Sequence, residues 1–279
     1  MIERERLLGL KTIVSGAAQG IGEAIAKAFA WEGASVAVVD LNFQGAQRVA
    51  FEIETSGGSA FAMKIDVTNH QDVIKMIEDA LNRWDAVDVL VNNVGGYHST
   101  ALVAAMSSVP PVEDSSDFGD HPFSSIGSIT GDQWDQVMAL NLRSVFLCCQ
   151  AAAKPMTERQ KGRIINIASS GAVHPRSNDP SYLPYATAKG GVITFTKHLA
   201  TEVGRYGITV NSISPGTTLT PRVQERRSTE SLKRIAERNP MRHLIEPQDV
   251  AEAAVFLASE GGRYITGINL NVNAGSVMI

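Results

Sequence analysis

The sequence predicts an α/β fold, one domain built on a doubly wound parallel sheet with helices on both faces. Three observations predict it. Short apolar runs of strand length alternate with stretches of helical periodicity along the chain. Near the N-terminus a strand, a glycine-rich turn and a helix follow one another directly. Polar and glycine residues then close one apolar run after another, as the ligand edge of such a sheet requires.

Thr12-Ile13-Val14 is the first short strand, and Ser15-Gly16-Ala17-Ala18-Gln19-Gly20-Ile21-Gly22 is the turn after it. Ile25, Ala28 and Phe29 then mark one side of a helix. This order brings backbone N–H groups and a helix N-terminus towards an anion, and glycine lets backbone approach a pyrophosphate. The same segment read without a ligand is a tight strand-to-helix turn. Ala34 to Val39 is a buried-type strand ending at Asp40, eighteen positions after Gly22. An acid there accepts hydrogen bonds from both hydroxyls of an adenosine ribose and repels a 2′-phosphate. Neither Leu41-Asn42-Phe43 nor Ala17-Ala18-Gln19 supplies a compensating cation, which points to NAD over NADP. The competing reading of Asp40 is a helix cap.

Ala60 to Ile65 is a strand leading to Asp66-Val67, with Asn69 capping a helix to about Trp84. Asp88 to Val91 is a strand that runs into Asn92-Asn93-Val94-Gly95-Gly96. Between residues 97 and 128, Pro110-Pro111, Asp114-Ser115-Ser116-Asp117 and His121-Pro122 mark irregular backbone. A loop of this length is read either as a lid or pocket wall, or as a surface insertion or subunit contact. A long helix opens at Thr130 with Asp132 in its first turn, and Asn141 lies within its apolar face of Trp134, Val137, Met138, Leu140, Val145 and Phe146. A buried Asn needs hydrogen-bond partners, so Asn141 is a core polar plug or part of a relay.

Gly162 to Ile167 is the fifth strand and ends near Ser169. Tyr185 opens the next helix, to about Arg205, and Lys189 lies four positions on, on the same face. A nearby ammonium favours the phenolate and brings a phenol towards its working range. A hydroxyl such as Ser169 beside it can hold a carbonyl or alcohol oxygen. Ile208 to Ile213 is the sixth strand, closed by Pro215-Gly216. Residues 217–240 are polar and charged and read as a mobile helical flap. A helix starts at Glu246-Pro247-Gln248-Asp249, and Ile268 to Val272 is the last strand.

The composition narrows the classes. Across 279 residues, 44% are hydrophobic and 19% charged, enough to bury a large core. Lys and Arg number 25 against 29 Asp and Glu, a net charge of −4 with no dense basic cluster. That argues against nucleic acid or an anionic membrane as the main partner. The charged segment Met1 to Arg6 is followed by no signal-type apolar stretch, and no apolar run reaches the ~18 residues of a membrane span. Cys148 and Cys149 are adjacent in a helical segment, unsuited to a structural disulfide or a metal site, and the six histidines lack ligand spacing. The expectation is a cytoplasmic, metal-free, soluble protein.

In their order, Gly16, Gly20 and Gly22; Asp40; Asp66-Val67; Asn92-Asn93-x-Gly95; Asn141; Ser169; Tyr185 with Lys189; and Pro215-Gly216 resemble the short-chain dehydrogenase/reductase family over nearly the whole chain. The resemblance implies one Rossmann-like domain of seven parallel strands, and a homotetramer or homodimer. It implies catalysis by Asn141, Ser169, Tyr185 and Lys189 on a secondary alcohol or its ketone, with NAD. Tyr185 is then the acid/base and Ser169 orients the substrate oxygen. Lys189 lowers the phenol pKa and holds the nicotinamide ribose, and Asn141 anchors a relay water. Gly16, Gln19, Gly20, Ile21 and Gly22 cover the pyrophosphate, Asp40 the adenosine ribose, and Asp66 and Val67 the adenine. Asn93 and Gly95 border the ribose region, and Thr218 and Thr220, after Pro215 and Gly216, reach the nicotinamide amide or the phosphates.

The chain departs from the family pattern in several places. Ser15 replaces the usual Thr, Val94 the usual Ala, and Asn273-Ala274 the common Asp-Gly. Sixteen positions separate Ser169 from Tyr185, more than is usual; Ser170 competes, but the Asn166-x-x-Ser169 register favours Ser169. The 97–128 loop is longer than usual by roughly twenty residues. In the lengthened 169–185 loop, His174 and Arg176 either face the pocket, where Arg176 grips a substrate anion, or are solvated. The rival readings are an NADP-linked 3-oxoacyl-type reductase and a dinucleotide-binding regulatory protein without turnover. An epimerase of the extended type needs more chain for its substrate domain.

Overall fold

The computed structural model describes residues 5–96, 129–174 and 182–278. Its sheet has seven strands, β1 (Lys11–Ser15), β2 (Ser35–Asp40), β3 (Ser59–Lys64), β4 (Val89–Asn92), β5 (Gly162–Ile167), β6 (Ile208–Pro215) and β7 (Asn269–Val272). Every neighbouring pair is parallel, in the order β3-β2-β1-β4-β5-β6-β7. The strand order reverses between β1 and β4, where Ile13 pairs with Leu90 and Val14 with Val91. Ligands of such sheets bind beyond the carboxyl ends at this switch point.

Apolar side chains on both faces explain why the strands read as continuous runs. In β2, Val36 and Val38 enter one core and Ala37 and Val39 the other. The first core also holds Phe29 of α1 (Gly20–Trp31), Ile53 of α2 (Phe43–Thr55) and Val255 of α9 (Pro247–Ala258). The second holds Met76 of α3 (His70–Trp84), Cys148 and Cys149 of α5 (Ser144–Glu158) and Val192 of α6 (Tyr182–Val203). Burial pushes the Cys148 thiol up to about 12 and also raises that of Cys149 well above its ordinary range, so both behave as packing groups.

Local chemistry starts the helices where the sequence places them. Asn69 accepts from the N–H groups of Gln71 and Asp72 at the start of α3. Thr130 and Gln133 form a reciprocal capping box at α4 (Gly131–Met138). Two boundaries differ from expectation. The α6 helix begins at Tyr182 instead of Tyr185, because Pro184 falls in its first turn, where a missing N–H costs nothing. The long helix from Thr130 is interrupted by a π-turn, Ala139–Arg143, which separates α4 from α5. The 217–240 segment contains two short helices, α7 (Pro221–Arg226) and α8 (Thr229–Arg238), neither with a fully buried residue. The 97–128 loop and Arg176 lie outside the described residues.

Candidate active site

The turn after β1 is shaped by close packing. Gly16 and Gly20 have φ of +65° and +63°, the left-handed region that glycine enters without strain. A Cβ on Gly22 would lie 2.2 Å from the Gly16 carbonyl oxygen and 2.5 Å from Asn93 Nδ2. Asn93 is the strap of this turn, its Nδ2 donating to the Ser15 and Gly16 carbonyls at 3.1 and 2.9 Å. Ser15 Oγ donates to Val91 O and accepts from Asn93 N, both at 3.1 Å, which locks the exits of β1 and β4 together. Val94 packs against Gly16. Gln19 is exposed and gives α1 no side-chain cap, unlike Asn42 and Asn69 on α2 and α3, while Ile21 anchors the turn in the first core. The first N–H groups of α1 therefore face the turn without a side-chain acceptor from their own N-cap.

Asp40 is pinned at the end of β2. One carboxylate oxygen accepts from Ala18 N at 3.0 Å and the other from Asn42 N at 2.9 Å. It is not the α2 cap, a role Asn42 takes by accepting from Gly45 N. Each carboxylate oxygen keeps acceptor capacity for a further donor. A cation the sequence reading missed approaches the same turn: Arg48 of α2 donates to Ala18 O at 3.0 Å. It is also held by both oxygens of Glu23, at 3.0 and 2.6 Å, and by Glu52 at 2.7 Å. Its place two helical turns from Asp40 carries no local signal.

Beyond β3, Asp66 accepts from Thr68 N and Oγ1 at 2.9 and 2.6 Å, and Val67 is buried in the second core. Arg143, from the π-turn, donates to Thr68 O at 2.9 Å and fixes that corner. On the other side, Pro215 ends β6, and Gly216 N donates to Val272 O at 2.9 Å. Thr218 is buried, with its hydroxyl 3.2 Å from Gly216 O. Thr220 caps α7 and lies against the glycine turn, since a Cβ on Gly20 would be 3.2 Å from its methyl group. At the C-terminus, Ala274 adopts φ +52°, and Asn273 organises the turn by bonding to Gly275 N and Val277 O.

The predicted catalytic groups come together at the ends of β4 and β5. Lys189 is buried and donates to Ile167 O at 2.7 Å. Its Nζ is 6.0 Å from the centre of the Tyr185 ring. Gly95 lies against the same ammonium, for a Cβ there would be 2.8 Å from both Lys189 Nζ and Asn141 Oδ1. Asn141, fully buried within the π-turn, holds the neighbouring glycine twice, accepting from Gly96 N at 2.9 Å and donating to Gly96 O at 2.8 Å. It also donates to Val137 O at 2.9 Å. The side chain is thus a tether for the loop after β4. Ser169 Oγ accepts from Gly171 N at 3.2 Å, which leaves its O–H able to donate. Ser170 is buried in the short turn that follows, and His174 is exposed.

Two residues near this centre were not legible in the sequence. Tyr182 packs its ring 5.5 Å from that of Tyr185, and its hydroxyl covers Gly171. Arg222 of α7 is half-buried with its guanidinium over Gly96, 2.6 Å from where a Cβ would stand. No spacing rule connects either to its neighbour.

Burial lowers the Lys189 ammonium from 10.5 to about 8. The sign of the linked stability follows. Between these values the unfolded chain holds the proton and the folded protein does not, so this group makes stability rise with pH across that window. Lys189→Met removes the effect. Denaturant unfolding of the cofactor-free protein at about pH 7.5 and about pH 9.5 should show wild type gaining roughly 2 kcal/mol relative to the variant. An identical pH dependence in both proteins would mean that Lys189 does not titrate there.

Residues 11–231 match the short chain dehydrogenase family. A 3-oxoacyl-[acyl-carrier-protein] reductase of Synechocystis sp. is 35% identical over 268 residues, covering 95% of this chain and 96% of its own. The 7alpha-hydroxysteroid dehydrogenase of Escherichia coli K12 is 33% identical over 272 residues, with 98% and 96% covered. A solved 7 alpha-hydroxysteroid dehydrogenase, complexed with NADH and 7-oxo glycochenodeoxycholic acid, superposes with a TM-score of 0.84 at 31% identity, covering 100% of this chain and 99% of that one.

Proposed function

The chain belongs to the short chain dehydrogenase family and is an oxidoreductase, and on that premise we propose that it interconverts a secondary alcohol and its ketone with NAD. The observation that carries the cofactor preference is Asp40, a carboxylate held at the end of β2 by two backbone donors. It suits two ribose hydroxyls and opposes a 2′-phosphate. The fit of the remaining residues supports a dinucleotide. The tight cradle at Gly16, Gly20 and Gly22 admits a pyrophosphate, and Asp66 with Val67 borders an adenine pocket. Gly95, Lys189 and Thr220 border the nicotinamide end.

The nicotinamide, when bound, supplies the hydride acceptor or donor. The chain supplies the proton and the alignment. In the oxidative direction Tyr185 as phenolate takes the alcohol proton, and in the reductive direction the phenol returns it. Ser169 donates to the substrate oxygen through the O–H that its bond with Gly171 leaves available. Lys189, within 6.0 Å of the phenol ring, favours the phenolate while it is charged. Asn141 holds Gly96, and so the loop that flanks Lys189. The same reading takes the protein as a cytoplasmic homodimer or homotetramer acting on a small molecule.

A second reading, an NADP-linked 3-oxoacyl-type reductase, draws support from Arg48 at Ala18 O and from the Synechocystis relative. Against it, Arg48 is already bound to Glu23 and Glu52. The test is a panel of secondary alcohols and ketones assayed with both cofactors. NAD(H) should exceed NADP(H) by at least about tenfold in kcat/KM, and Asp40→Ala should remove most of that margin. A wild-type preference for NADP(H) would establish the second reading. Tight NADH binding without turnover of any panel member would leave a dinucleotide-binding regulator.

A further inference from the structure

We propose that Arg48 is a positioning residue for the cofactor site: by holding the Ala18 carbonyl it keeps the Ala18 N–H on Asp40, and so fixes the carboxylate that meets the adenosine ribose. The inference rests on the NAD reading above and assigns α2 a part in it.

Ala18 is buried in the glycine turn and held at three points. Its N–H donates to one carboxylate oxygen of Asp40 at 3.0 Å. Its carbonyl accepts from Arg48 at 3.0 Å. Its methyl group meets α2 at Gly45, where an added Cβ would stand 2.8 Å from the Ala18 Cβ. The second oxygen of Asp40 accepts from the N–H of Asn42, the α2 cap, at 2.9 Å. Asn42, Gly45 and Arg48 are spaced by three and share one face at the start of α2. Both donors to Asp40 therefore depend on this face. Asn42 supplies one itself, and Gly45 with Arg48 seats the residue that supplies the other.

Arg48 can act in this way because its own position is fixed. The two terminal nitrogens of a guanidinium carry four hydrogens, and here four bonds use them. One nitrogen donates to Glu23 at 3.0 Å and to Glu52 at 2.7 Å. The other donates to Glu23 at 2.6 Å and to Ala18 O at 3.0 Å. The bonds to Glu23 form a parallel fork that lysine does not reproduce. Lys27 joins the same two acids at 2.6 Å each, closing a ring of alternating charge between α1 and α2. Exposed ion pairs of this kind contribute little to stability by themselves. A ring that only joined the two helices would need no bond to the turn, yet Arg48 leaves the ring to reach Ala18. With two cations against two carboxylates, the ring adds little net charge beside an anionic cofactor. What it supplies is a donor held in place.

The test is NADH affinity, read by fluorescence, in Arg48→Met, Arg48→Lys and Gly45→Ala, each alone and combined with Asp40→Ala. Asp40→Ala alone should weaken NADH by at least about tenfold. Arg48→Met should weaken it by at least about fivefold. Gly45→Ala keeps every charge and presses on the same residue, so it should cost at least about threefold. In the Asp40→Ala background both losses should shrink to within about twofold, because the carboxylate they aim is gone. Arg48→Lys keeps the charge without the fork and should recover only part of the loss.

Unchanged NADH affinity in Arg48→Met overturns the inference. A loss of equal size with and without Asp40 also overturns it, since a general loosening of the fold or a long-range charge effect would give that result. Full recovery in Arg48→Lys does the same, by showing that charge alone is at work. In each of these cases a loss in Asp40→Ala alone leaves the NAD reading standing. If Asp40→Ala alone changes nothing, Asp40 does not hold the ribose, and the NAD reading falls together with the inference.

Discussion

Tyr185→Phe is expected to keep NADH affinity within about twofold and to lose ~10²–10⁴-fold in kcat. The phenol oxygen is the group assigned to proton transfer, and the substitution deletes that oxygen alone. The ring stays at the start of α6, packed by Tyr182 at 5.5 Å and facing the Lys189 ammonium at 6.0 Å. The glycine cradle and Asp40 are on other elements and do not depend on it. NADH binding by fluorescence and steady-state turnover on the best panel substrate separate the two effects. Turnover equal to wild type would remove Tyr185 from the chemistry, whatever the cofactor affinity.

Gly22→Ala should act the other way, through the cofactor site. The added methyl would stand 2.2 Å from the Gly16 carbonyl oxygen, a backbone atom, and 2.5 Å from the Asn93 amide nitrogen. The first cannot yield without the backbone, and the second, a side-chain end, is tied to the Ser15 and Gly16 carbonyls, so relief requires the turn or the N-terminus of α1 to move. Asn93 also holds both the Ser15 and Gly16 carbonyls, so the displacement spreads to the β4 exit. Overpacking of this kind costs about 1–3 kcal/mol. NADH affinity should fall by at least about tenfold, with a lower Tm. Gly131→Ala is the control, because nothing lies within 4 Å of the position its Cβ would take. Unchanged NADH affinity in Gly22→Ala would show that close backbone approach does not build the site.

Both expectations rest on residues that were legible as sequence. Asp40 illustrates the division. Its place at a strand end followed from the apolar run before it, but that run could not tell ribose ligand from helix cap. The structure separates them, since Asn42 caps α2 while Asp40 bonds across to Ala18. Asn141 divides similarly. Its burial was readable from the apolar face around it, but its tether to Gly96 needed the π-turn and the β4 exit to meet.

From sequence alone came the strands, most helix starts, the glycine turn, and the chain positions of Ser169, Tyr185 and Lys189. These depend on interactions within a few residues: apolar runs buried on both sheet faces, caps that satisfy the first N–H groups, and side chains one helical turn apart. Tertiary structure alone decided that Arg48 reaches Ala18, that Tyr182 supports Tyr185 and covers Gly171, and that Arg222 rests on Gly96. Such contacts join elements distant in sequence or turn on how a helix docks, and docking follows from packing of the whole core rather than from any local pattern.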